Sequence, residues 1–143
     1  MTSFPTTILD EYLTYHKTYS EKYGKKTLIL MQVGSFFEAY ATDKLGPDLF
    51  EISDILNIVC TRKDKSISEI SEKNPYMLGF PTVAVAKFIN ILVSENNYTV
   101  VMVEQTTPPP KPKREVTHIY SAGTYIEGQH YNKYVSQRIN NIL

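Results

Sequence analysis

One cysteine, no tryptophan and no net charge mark this chain of 143 residues. The lone thiol, Cys60, excludes an internal disulfide and leaves no thiolate set for a structural metal. Neither of the glycine-rich signatures that cradle phosphates, G-x-x-x-x-G-K-[ST] and G-x-G-x-x-G, is present. No apolar run approaches the ~18 residues of a membrane span, and the opening MTSFPTTILDEY lacks the basic-then-apolar pattern of a secretory leader. Fifteen basic residues balance fifteen acidic ones. A free-standing, sequence-neutral nucleic-acid binder carries a strong positive excess, because phosphate contacts supply most of its affinity. The balance therefore excludes that class, unless this chain supplies shape-specific contacts while another part of a larger protein grips the backbone.

What is there reads as a globular domain, 42% apolar and 21% charged. Ile8, Tyr12, Tyr15, Tyr19 and Tyr23 fall on one face of a helix over 8–23, with Gly24 as its cap. TLILMQV (27–33) is short and apolar on both faces, so it predicts an interior strand. Pro47 predicts the first residue of a second helix carrying Leu49, Ile52 and Leu56. NIVCTRK predicts a strand running into a basic loop, and 64–74 a polar surface loop. YMLGFP predicts another strand, followed by a helix capped by Thr82 with Val85, Phe88, Ile89 and Leu92 inward. YTVVMVEQ (98–105) predicts the strongest strand and EVTHIYSAGT the last, joined by the stiff TTPPPKPKR. Alternating strands and helices predict an α/β fold, a mixed sheet flanked by about three helices. The domain is expected over 1–127, its core over 25–127, with 128–143 a linker to a connector domain outside this chain.

Catalytic constellations are hard to assemble. His16, His118 and His130 lie far apart in sequence, and His16 is expected on the surface of the first helix. Glu104-Gln105 is expected to bind loop backbone at a strand end, and Cys60 to be a small buried residue. No nucleophile, base and oxyanion donor come together, so the domain is not expected to be an enzyme.

The most informative stretch is MQVGSFFEAYA, 31–41, where a glutamate follows two phenylalanines directly. An unpaired buried carboxylate is costly. In an extended segment side chains alternate between faces, so Phe36 and Glu38 share one face while Phe37 and Ala39 share the other. Phe37 and Ala39 can then enter the core, while Phe36 and Glu38 project together from a tight Gly34-Ser35 turn. Alternation alone leaves Phe36 open between core and surface, and core filling is the commoner fate of such a ring. A projecting ring suits wedging between base steps from the minor groove, where unstacking costs a few kcal/mol and least at a faulty pair.

MQVGSFFEAY resembles the motif that opens the mismatch-recognition domain of the MutS family. The resemblance continues in order through CTRK, MLGFPTVAVAKFINILV, YTVVMVEQT and KREVTHIYSAGT, covering roughly residues 8–127. Ser35, Val83 and Ala122 depart from the aspartate, histidine and proline common in the family. The resemblance implies that Phe36 stacks on a mispaired or unpaired base and that Glu38 hydrogen-bonds it. It implies mismatched double-stranded DNA as partner, a dimer that surrounds it, and connector, lever, clamp and ATPase domains elsewhere in the parent. ATP and Mg²⁺ would belong to that ATPase domain, with no cofactor in this one. Charge alone puts Arg62, Lys63, Lys113 and Arg114 near phosphates. Two rival readings remain: a recognition-dead structural or interaction arm of a MutS-like subunit, and a small metal-dependent DNA-processing enzyme whose candidate carboxylates are Glu38, Asp43 and Glu104.

Overall fold

The first helix, α1 (Ile8–Tyr23), begins where Thr7 Oγ1 accepts the Asp10 amide at 3.0 Å. Asp10 and Glu11 in its first turn and Lys22 in its last complement the helix dipole. It ends at Gly24, whose N–H returns to the Ser20 carbonyl. Leu9 and Tyr12 are buried, Tyr15 and Tyr19 partly so, but Tyr23 at the far end of the predicted face is exposed. This computed structural model describes residues 7–123, so the expected boundary at 127 and the segment after it lie outside the described residues.

Strands β1 (Thr27–Val33) and β2 (Phe36–Ala41) form a hairpin. Its two-residue loop has Gly34 at φ +62°, a conformation that costs glycine nothing and matches the strand twist. Then follow α2 (Leu49–Leu56), β3 (Thr61–Arg62) and β4 (Tyr76–Pro81). A 3₁₀ turn (Thr82–Ala84), α3 (Val85–Asn90) and a π-helical turn (Ile91–Glu95) lead into β5 (Thr99–Gln105) and β6 (Arg114–Tyr120). The six strands lie in the order β3-β4-β2-β1-β5-β6. Only β1 and β5 run parallel; the other neighbours are antiparallel. The fold is α/β, a mixed sheet with three α-helices, as the alternation of elements led us to expect. Among the described residues no helix is long and apolar enough to cross a membrane.

Helix α1 packs on one face of the sheet against β1 and β2; α2 packs on the other against β2 and β4, with the π turn against β5. Side-chain parity shows which face is which. Tyr40 meets the Tyr12 ring of α1 edge-on, with centroids 5.5 Å apart. Phe37, of opposite parity, packs toward Phe80, which in turn packs on Phe88 of α3. Central strand β1 is buried on both faces from Thr27 to Met31.

Several expected boundaries move. Asp48, not Pro47, opens α2: its carboxylate accepts the Glu51 amide, and Pro47 lies outside the helix. Thr82 caps nothing with its side chain, because a 3₁₀ turn intervenes before α3. The NIVCTRK strand shrinks to Thr61–Arg62, and β6 ends at Tyr120. His16, expected on the helix surface, is not fully exposed there. It is half-buried, its Nδ1 has no hydrogen-bond partner, and burial holds its pKa below the ordinary value. The 64–74 loop is polar but organised: buried Asn74 donates to the carbonyls of Ile67 and Glu69 and accepts the Asp64 amide.

Adjacent phenylalanines therefore carry unequal shares of stability. Phe37→Ala should lower unfolding free energy by about 3–5 kcal/mol, whereas Phe36→Ala should change it by under about 1 kcal/mol. Denaturant unfolding of the two variants checks this; equal losses would mean that Phe36 belongs to the core.

Candidate nucleic-acid interface

Phe36 is 44% exposed and its neighbour Phe37 is 1% exposed. The register that produces this contrast is held from both sides. Phe36 pairs with Val33 of β1 and Pro81 of β4, and Glu38 pairs with Met31 and Gly79. The end of β4 is further tied to the hairpin by the Thr82 amide, which donates to the Ser35 carbonyl at 2.8 Å. Exposed Pro81 and Val83, the latter 91% exposed, follow at the same end of the sheet. Phe36 thus stands at the margin of the α1 face, next to other apolar groups in contact with water. The core reading that alternation left open for Phe36 is corrected.

Glu38 lies half-buried on the same side as Phe36. Its space is made by Gly79 directly opposite: a Cβ there would sit 3.1 Å from Glu38 Cγ and 3.0 Å from the Phe37 carbonyl oxygen. Its carboxylate accepts a hydrogen bond from the Tyr40 hydroxyl, two residues on and on the same face. Burial, and then that acceptor, push the Tyr40 pKa far up, so the phenol stays a donor. The opening puzzle of a carboxylate among aromatics resolves in this geometry, because one aromatic neighbour carries the donor.

The four basic residues divide into two kinds. Lys63 is exposed, with its ammonium 6.0 Å from the Tyr40 ring centroid, on the Glu38 side of the sheet. Lys113 is exposed at the far edge, in the loop before β6. Arg114 turns inward instead. Its Nε donates to the Gln32 carbonyl at 2.7 Å, its Nη1 pairs with Glu11 at 3.2 Å, and its side chain is only 10% exposed. It fastens β6 to β1 and α1, which leaves Arg114 less available to a phosphate than its charge alone suggests. Arg62 also binds inward, donating to the carbonyls of Ile67 and Lys65, and so organises the loop that follows it.

The carboxylates considered for metal chemistry are dispersed. Glu104 accepts from Thr117 and lies 3.3 Å from His118 Nδ1, a cross-strand arrangement rather than the expected loop-backbone contact. Asp43 interacts with Tyr76. Among the described residues no three His, Cys, Asp or Glu side chains gather as a metal-binding group. His130 lies outside the described residues. Cys60 is only partly buried, and burial raises its thiol pKa, which disfavours the nucleophilic thiolate. Sequence reasoning missed Tyr40 and Gly79. Both were accessible to it: Tyr40 shares the period-two face of Glu38, and a glycine inside a strand marks close approach.

Comparison with known proteins returns one family. The description MutS domain I matches residues 11–129. A mimivirus protein named as a putative DNA mismatch repair protein mutS homolog, from Acanthamoeba polyphaga mimivirus, is 38% identical over 122 residues, which is 84% of this chain and 11% of the relative. The DNA mismatch repair protein MutS of Chlorobium phaeobacteroides is 35% identical over 122 residues, 81% of this chain and 12% of the relative. That of Fervidobacterium nodosum is 30% identical over 128 residues, 87% of this chain and 13% of the relative. The chain thus spans between 11% and 13% of the length of these relatives.

The close approach at Gly79 has a measurable consequence. Gly79→Ala should destabilise the domain by about 1–3 kcal/mol through crowding, with part of the loss recovered when Glu38→Ala removes one of the two crowded atoms. A cost unchanged in the double variant would mean that the glycine makes no room for Glu38.

Proposed function

The chain belongs to the MutS family through its domain I, the mismatch-recognition domain, and we propose that it reads DNA by inserting Phe36 at a mispaired or unpaired base while Glu38 hydrogen-bonds that base. The observation that carries this reading is the exposure of Phe36 beside a half-buried carboxylate on the same strand face. A structural arm has no reason to keep such a ring in water.

The energetics favour a reader of pairing faults. Wedging a ring into a duplex costs a few kcal/mol of unstacking, less where pairing is already weak. Stacking on the exposed base returns about 1–3 kcal/mol. Glu38 sharpens the contrast from the other side: a carboxylate near phosphates weakens binding to any duplex, and only a displaced base edge offers it a compensating donor. Lys63, on the Glu38 side, and Lys113, at the far edge, are the exposed cations suited to nearby phosphates. With zero net charge, the domain alone binds DNA weakly. We assign the remaining grip to other domains of a longer MutS-type parent and to a second subunit. ATP and Mg²⁺ chemistry belongs to a separate ATPase segment of that parent, and the domain itself is a binding module rather than an enzyme.

In the parent protein, Phe36→Ala should remove the preference for a duplex with a mismatch or an unpaired base over a matched one, a loss of about 5- to 150-fold from stacking alone. Glu38→Ala should reduce the preference while tightening binding to the matched duplex. Fluorescence anisotropy titrations with the three duplexes measure both; undiminished preference in Phe36→Ala would refute the insertion, and weaker matched-duplex binding in Glu38→Ala would refute the repulsion.

A further inference from the structure

We propose that Tyr40 is a positioning residue for mismatch reading: its hydroxyl holds the Glu38 carboxylate in one orientation. This inference rests on the reading of Glu38 as the group that meets the base. A glutamate on an exposed strand samples many rotamers, and fixing it on binding opposes affinity. Here the fixing is built into the free protein. The Tyr40 hydroxyl donates to Glu38 Oε1, and Gly79 opens the space in which the glutamate stem lies.

Tyr40 is itself immobile. It is 2% exposed and packed edge-on against Tyr12, which is fully buried and anchored by its own hydroxyl on the Ile29 carbonyl at 2.8 Å. Among the described residues Tyr40 is the one donor to Glu38, which leaves Oε2 to accept from an incoming group. The complementary feature on a base is therefore an N–H donor, and N3–H of an unpaired thymine serves as the probe. Phe36 would recognise that a base can leave the stack, and the Tyr40-held carboxylate would recognise which edge it presents.

The test uses the parent protein in four forms: wild type, Tyr40→Phe, Glu38→Ala and the double variant. Affinities are measured for a matched duplex, for one with an unpaired thymine, and for one with an unpaired N3-methylthymine, together with the thermal midpoint. Tyr40→Phe should weaken binding to the unpaired-thymine duplex about two- to tenfold and narrow the gap between thymine and its N3-methyl analogue. Matched-duplex affinity and the thermal midpoint should change little, and in the Glu38→Ala background the substitution should have no further effect. An effective Glu38→Ala with a silent Tyr40→Phe would overturn the role of Tyr40 alone. An equal loss from Tyr40→Phe with and without Glu38 would assign Tyr40 to packing, and a silent Glu38→Ala would remove the premise.

Discussion

The pairing of β2 between β1 and β4 is the constraint on which the candidate site depends. A strand held on both sides cannot slip by one residue without exchanging its faces, so Phe36, Glu38 and Tyr40 stay on one side and Phe37, Ala39 and Ala41 on the other. The inner set is buried and contributes to the core. That anchorage lets Phe36 stand in water without mobility of the backbone beneath it. A ring meant to enter a base stack needs such rigid support, because flexibility there would spread the energy of contact over many poses.

Around that strand, neighbouring elements each remove one degree of freedom. The Gly34 turn aims the hairpin, the bond from Thr82 to Ser35 ties β4 to its tip, and Gly79 makes room for the glutamate stem. Arg114 fastens β6 to β1 and to α1, the helix whose Tyr12 braces Tyr40. Two of the four arginines and lysines first assigned to phosphates thus hydrogen-bond to other groups of the protein, Arg114 largely buried and Arg62 on its own surface loop. A domain with zero net charge and two arginines turned inward is poorly equipped to hold a uniform polyanion. Discrimination by shape and pairing, with the backbone held elsewhere in a longer protein, fits that charge distribution.

Much of this was legible in the residues. The bounds of α1 and β1 followed from helical spacing and from a run apolar on both faces, and the opposite facing of Phe36 and Phe37 followed from strand alternation. Whether Phe36 lay in the core did not follow, because exposure at a strand end depends on how far α1 extends over the sheet. The inward turn of Arg114 was hidden for a similar reason: its partners Gln32 and Glu11 lie 82 and 103 residues away. Thr82 looked like a helix cap, but the tie to Ser35 and the 3₁₀ turn belong to tertiary structure. His16 lies four residues after buried Tyr12, on the flank of the tyrosine face, so helical spacing itself allowed for its partial burial.

The proposed reading of DNA depends on where one aromatic ring goes when a duplex binds. The most direct measurement is a crystal structure of the parent protein bound to a duplex with a single unpaired thymine. The Phe36 ring should lie parallel to that base at about 3.5–4.0 Å, with a Glu38 oxygen within hydrogen-bond distance of its N3. A complex in which the thymine remains stacked in the helix and the ring rests against the sugar-phosphate backbone would contradict the insertion.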